Sequence, residues 1–228
     1  MSATPIVALD VSSTTDALRL VERLGESCRF YKVGNELFTA EGPDVVRRLR
    51  ASAADVFLDL KFHDIPNTVA GGVRSAVKLG ARLVTVHATG GETMLRAAVE
   101  AGGSACGVLA VTVLTSLTGE AIAAAWGRQQ VDTTSEVLRL AGLAARAGAH
   151  GVVCSGAEAA AVRAEFGGAL AVLVPGVRAA GAAAQDQARV VTPREAAERG
   201  ARYVVVGRMV TAATDPRSAM EAVARELV

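Results

Sequence analysis

Lysine is nearly absent from this chain. Of 24 lysines and arginines, only Lys32, Lys61 and Lys78 are lysine, so arginine supplies almost all routine positive charge. Cysteine is sparse too: Cys28, Cys106 and Cys154, an odd number without CxxC spacing, exclude a disulfide framework and read as small buried hydrophobes in a reducing compartment. Aromatic residues make up 4% of the chain and the net charge is +1, which leaves neither stacking platforms nor an electrostatic footprint for nucleic acid or a membrane surface. The three histidines form no pair at metal spacing, so no metal site is expected. No apolar run approaches the ~18 residues of a membrane span. Only Met1–Pro5 precedes the first apolar run, too little for a signal peptide, and the expected location is the cytoplasm. Neither GxxxxGK[ST] nor a GxGxxG opening the first helix occurs, so the nucleotide-cofactor motifs are missing.

What is present is a regular alternation. Hydrophobic residues account for 51% and charged residues for 21%, the balance of a well-buried protein. Short apolar runs fall at Ile6–Leu9, Phe30–Val33, Val56–Leu60, Leu83–Val86, Gly107–Val113, Gly151–Cys154, Ala171–Val174 and Tyr203–Val206. Most are continuously apolar, as parallel strands covered on both faces should be. Amphipathic stretches lie between them, including Thr15–Leu24, Asp44–Leu49, Thr68–Leu79 and Thr133–Ala147. Pro43 and Pro66 stand where helices begin; Gly25, Gly80 and Gly148 stand where they end. Eight strand–helix units in 228 residues predict a single (β/α)8 TIM barrel domain spanning 1–228, with a doubly wound open sheet as the other arrangement.

The stretch Asp59-Leu60-Lys61-Phe62-His63-Asp64 concentrates the chemistry. Alternation along a strand puts Asp59 and Lys61 on one face, and Asp64 follows just past the strand end. Two carboxylates around one ammonium are costly to bury, and they read either as a structural ion-pair network or as a reactive site. The scarcity of lysine favours the second reading: two of only three lysines, Lys32 and Lys61, sit at apolar strand ends, and lysine can release a proton where arginine cannot. In a barrel the C-terminal strand ends carry function, and Asp10, Lys32, Asp59, Lys61, Thr115, Arg178, Gly207 and Arg208 all fall there. The loops after strands 7 and 8 commonly hold phosphate in barrels. Here they read Pro175-Gly176-Val177-Arg178 and Val206-Gly207-Arg208, pairing backbone access with forked guanidinium donors. The loop from Ala179 to Gln187 is long enough to close as a lid. His87 ends a strand and reads as a histidine bonded to nearby backbone, with a catalytic base as the other reading; His63 and His150 read as structural.

The run Asp59-Leu60-Lys61-Phe62-His63-Asp64-Ile65-Pro66-Asn67-Thr68-Val69 resembles the signature of the orotidine 5'-phosphate decarboxylase family. The resemblance covers essentially the whole chain. It includes Val7–Asp10, Lys32–Gly34, Val113–Ser116, Pro175–Arg178, Gln187, Val191–Pro193 and Val205–Arg208. Asn35 stands where the family often has Met, and Gln185 where its run usually reads Asp-Asp-Gln.

This resemblance implies cofactor-free decarboxylation of orotidine 5'-monophosphate to UMP, the last step of UMP synthesis. It implies that Asp10 and Lys32 hold the ribose hydroxyls, with Lys32 also part of the catalytic charged network of Asp59, Lys61 and Asp64, that Asp59 lies beside the departing carboxylate, and that Lys61 protonates C6. It further implies that Thr115 contacts the pyrimidine and that Gln187 bridges base and phosphate. Arg178, Gly207 and Arg208 would grip the phosphate. Asp64 and Thr68 would reach the partner's site in a homodimer. Two other readings remain: an Mg-dependent sugar-phosphate enzyme of the 3-keto-L-gulonate 6-phosphate decarboxylase or hexulose-phosphate synthase type, and a catalytically silent nucleotide-binding barrel.

Overall fold

The computed structural model describes residues 2–178 and 191–228. The eight apolar runs form strands β1 (Thr4–Ala8), β2 (Phe30–Gly34), β3 (Asp55–Phe62), β4 (Leu83–His87), β5 (Gly107–Val111), β6 (Gly151–Val153), β7 (Ala171–Val174) and β8 (Tyr203–Val206). Each pairs in parallel with the next, and β8 returns to β1, so the sheet closes into a barrel. Closure removes every edge strand, which is why continuously apolar strands are tolerated here. The doubly wound alternative is thereby excluded.

Helices α1 (Thr14–Leu24), α2 (Asn35–Glu41), α3 (Asp44–Ala51), α4 (Pro66–Lys78), α5 (Gly91–Gly102) and α6 (Gly119–Trp126) surround the first half. The remainder are α7 (Thr133–Arg146), α8 (Ala159–Phe166), α9 (Pro193–Glu198), α10 (Arg208–Thr211) and α11 (Pro216–Glu226). Their ends follow local chemistry. Ser13 and Asp132 accept hydrogen bonds from the backbone of Asp16 and Ser135, and Thr192 with Glu195 forms a reciprocal cap on α9. Pro66 occupies the first position of α4, while Pro43 sits just before α3. Gly25, Gly80 and Gly148 close α1, α4 and α7 with φ of 53°, 77° and 75°, a conformation that favours glycine.

Strand alternation divides the core in two. Val7, Tyr31, Val33, Val56, Leu58, Val84, Val108 and Val204 face outward against the helices, where they are fully or almost fully buried. Ile6, Ala8, Phe30, Phe57, Leu83, Leu109, Val111, Val153, Leu173, Tyr203 and Val205 fill the barrel interior. Burying each large side chain of this kind contributes roughly 1.5–3 kcal/mol. The same period-two pattern then aims the next inward positions at the C-terminal mouth. Phe30 leads to Lys32, Phe57 to Asp59, and Leu83 to Thr85 and His87. The hydrophobic floor and the polar mouth are therefore successive layers of one repeat.

Candidate active site

The inward positions at the ends of β1, β2 and β3 meet in a chain of alternating charge. Lys32 Nζ donates to Asp10 Oδ1 at 2.8 Å and lies 4.0 Å from Asp59 Oδ2. Lys61 Nζ donates to Asp59 Oδ1 at 2.8 Å. The side chains of Lys32 and Asp59 are only 11% and 16% exposed, so these charges interact with little screening by solvent. Pairing along the row offsets the desolvation each charge would suffer alone. Gly34 leaves room beside them, since a Cβ at that position would lie 3.0 Å from Lys32 Nζ.

The end of β3 departs from a regular strand. Leu58 pairs with Val84 and Phe62 with Val86, so four steps along β3 match two along β4. Such a bulge bends the strand and re-aims its side chains. Inside it, Lys61 adopts φ of 51°, the left-handed region that a lysine ordinarily avoids. Sequence alternation anticipates that Asp59 and Lys61 converge, but not this backbone.

A cavity of about 380 Å³ opens above the floor formed by Ala8, Phe57, Val153, Leu173 and Val205. One wall carries Asp10, Lys32, Asp59 and Lys61; another carries Leu114, Thr115 and Ser116. Pro175, Gly176, Arg178, Gly207 and Arg208 line the side built by β7 and β8. There the Arg178 N–H donates to the Val191 carbonyl at 3.0 Å, and one guanidinium nitrogen donates to the Val177 carbonyl at 3.1 Å. Arg178 Nε is buried without a hydrogen-bond partner among the described residues, a donor that an anion in the cavity can satisfy. The cavity is thus a cationic corner facing an ammonium–carboxylate row across an apolar floor.

Asp64 and Thr68 do not join this row within the chain. Both are exposed, and Asp64 Oδ1 accepts the N–H of Ile65 at 2.6 Å. Between them Ile65 is 66% exposed, an unusual position for a large aliphatic side chain. Gln187, Gln185 and the expected lid lie outside the described residues.

The histidines divide differently from the sequence reading. The His87 ring makes no hydrogen bond to backbone among the described residues; it packs against His63, with centroids 5.4 Å apart and planes tilted by 41°. Burial, the neighbouring His63 and the Lys61 charge hold the His87 imidazole below its ordinary pKa, partly opposed by Asp59. His150 is structural as expected, with Nε2 3.1 Å from the Tyr203 hydroxyl at the opposite end of the barrel. Cys28, Cys106 and Cys154 are buried and form no disulfide among the described residues; burial raises the Cys106 thiol to about 11, which leaves it inert. Among the described residues no helix is long and apolar enough to cross a membrane.

Fold and mouth define a class: a (β/α)8 barrel whose paired lysines and carboxylates gather at the C-terminal strand ends, where barrel enzymes keep their active sites. The chain belongs to the Orotidine 5'-phosphate decarboxylase / HUMPS family, whose model matches residues 4–223. It is 50% identical over 228 residues to an orotidine 5'-phosphate decarboxylase of Halorhodospira halophila, covering 97% of this chain and 94% of the relative. It is 46% identical over 230 residues to one from Moorella thermoacetica, covering 97% and 91%. Among solved structures, the orotidine 5'-phosphate decarboxylase of Lactobacillus acidophilus superposes with a TM-score of 0.87 at 36% identity, over 100% of this chain and 99% of that one. The enzyme from Pyrococcus horikoshii superposes at 0.79 with 25% identity, over 98% and 99%.

Proposed function

We propose that this chain is a single-domain enzyme that decarboxylates orotidine 5'-monophosphate to UMP without a cofactor. The observation that carries the reading is the ammonium–carboxylate row facing a cationic corner across one cavity, together with the names of the full-length relatives. Breaking the C6–carboxylate bond leaves an electron pair in the ring plane, where the pyrimidine π system cannot delocalise it. The site must therefore stabilise that charge electrostatically. Lys61 supplies it: two unit charges ~4 Å apart interact by ~4 kcal/mol at an effective dielectric of ~20. CO₂ departs, the Lys61 ammonium delivers a proton to C6 to form the C–H bond, and solvent water then reprotonates the lysine. Asp59 keeps Lys61 in place and faces the substrate carboxylate until it leaves as neutral CO₂.

In this reading Arg178, Gly207 and Arg208 bind the phosphate and Gln187 bridges phosphate and base. Asp10 and Lys32 take the ribose hydroxyls, and Thr115 contacts the pyrimidine. Binding energy from the phosphate, remote from C6, helps to hold the reacting end in place. Asp64 and Thr68 serve the site of a second copy in a cytoplasmic homodimer. Their exposure beside the bare Ile65 supports that assignment. The test is loss of orotidine-phosphate absorbance on adding protein that has been dialysed against EDTA. Turnover at full rate is expected. Loss of activity on chelation with recovery on adding Mg²⁺ would move the chain to the sugar-phosphate branch, and no turnover under either condition to a silent barrel.

A further inference from the structure

The bulge at the end of β3 leaves an accounting problem that one buried hydroxyl solves. In a regular parallel ladder each backbone N–H of β3 finds a carbonyl on a neighbouring strand. Four residues of β3 against two of β4 break that repeat around Lys61. A buried N–H left without an acceptor costs about as much as a lost hydrogen bond. Thr85, at the centre of β4 and 0% exposed, supplies the missing acceptor: its Oγ1 receives the Lys61 N–H at 2.9 Å. A hydroxyl that accepts still has one proton to give, and Thr85 Oγ1 donates it to Asp59 Oδ1 at 3.0 Å.

A closed loop results. It runs from the Lys61 backbone through the Thr85 hydroxyl to the Asp59 carboxylate, then through the 2.8 Å ion pair back to the Lys61 ammonium. Asp59 Oδ1 is engaged by both donors, which leaves Oδ2 on the side of Lys32, 4.0 Å away. Thr85 also braces the left-handed backbone of Lys61, a conformation that costs on the order of 1–3 kcal/mol and persists only where its surroundings hold it. Thr85 does not line the cavity, so it can act only through its two neighbours.

We infer that Thr85 is a positioning residue, whose hydroxyl fixes the bulged backbone of Lys61 and the rotamer of Asp59 together. This rests on the decarboxylase reading for its kinetic consequence but not for its structural one, and two readouts separate them. Thr85→Val keeps the shape and removes the hydroxyl. It is expected to lower kcat by roughly tenfold to a hundredfold, the range for losing a hydrogen bond to a charged group, with KM within about twofold of wild type. Thr85→Ser restores the hydroxyl and is expected to recover most of kcat; Thr85→Ala stands in for the valine variant should that one fail to fold.

The second readout needs no substrate. Because the chain holds three lysines, labelling with ¹⁵N-lysine gives backbone amide signals only for Lys32, Lys61 and Lys78. In Thr85→Val, hydrogen exchange at the Lys61 amide should accelerate about tenfold or more while Lys78 is unchanged. Unaltered Lys61 exchange overturns the proposal whatever the kinetics show. So does a folded Thr85→Ser variant that loses as much kcat as Thr85→Val. If wild-type protein fails to turn over orotidine 5'-monophosphate, the functional reading falls and the amide signal alone decides the role of Thr85.

Discussion

At the C-terminal mouth of the barrel, Lys32 and Lys61 hold Asp10 and Asp59 over an open cavity, whereas at the N-terminal mouth Arg50 and Arg82 hold Asp55 on the outer surface. The upper pairs line a space that a ligand can fill. Below, both carboxylate oxygens of Asp55 are paired with arginine, and Arg82 also borders a second, more open hollow with Leu83, His150 and Tyr203. Arg82 lies over the Phe30 ring at 5.4 Å, Arg202 over Tyr203 at 5.9 Å, and Tyr203 meets Phe30 edge-on at 6.4 Å. Arginine suits that role because its charge is permanent and its plane stacks; lysine suits the other because its proton can leave. Ion pairs therefore do different work at the two ends, and in these pairs lysine serves the upper mouth and arginine the lower.

That contrast is sharpest at Lys61. Lys61→Arg keeps a cation beside Asp59 but removes a readily donated proton, so kcat should fall by about a thousandfold or more, close to Lys61→Ala. Steady-state assays on both variants, with circular dichroism to confirm folding, make the comparison. Near-normal activity in the arginine variant would show that charge alone suffices and would remove the proton-donor role.

A smaller signal distinguishes residues that complete their own cavity from those that complete a neighbour's. Mixing Lys61→Ala and Asp64→Ala chains, unfolding and reassembling them, makes about half the dimers mixed if pairing is random. If Asp64 serves the partner's site, one site in each mixed dimer carries both lesions and the other none. Activity should then rise from near nothing to about a quarter of the wild-type value per site. With subunit exchange verified by mass-tagged chains, a flat result places Asp64 in its own chain's service.

The smallest effect belongs to the lower mouth. Arg82→Ala removes a half-exposed ion pair and a cation–π contact, together worth about 1 kcal/mol. In a chain of this size that lowers Tm by about 2–4 °C, and kcat and KM should stay as they are. A change in kcat would mean that the two mouths are coupled through the barrel.

Much of this was legible in the amino-acid sequence. Strands β7 and β8 coincide with their apolar runs, and the others differ by a few residues, because continuously buried parallel strands leave an unbroken hydrophobic signal. The rim residues were also legible, since a barrel delivers every strand end to the same mouth. Thr85 was not: a single threonine inside Leu83–His87 looks like any β-branched strand residue, and its value depends on a bulge in another strand. The separation of Asp64 from Lys61 was implied by the family resemblance and not by residue pattern: the backbone leaves β3 after Phe62, and Asp64 falls in the short link before α4 begins at Pro66.

The sequence by itself determined the barrel, the end of it where the charged rim residues gather, and the two scarce lysines placed there, since hydrophobic period and residue type are local properties. Only the tertiary structure decided how Lys61 is held. A left-handed lysine is unfavourable on its own, and here its backbone N–H is met by a hydroxyl that β4 brings to the bulge.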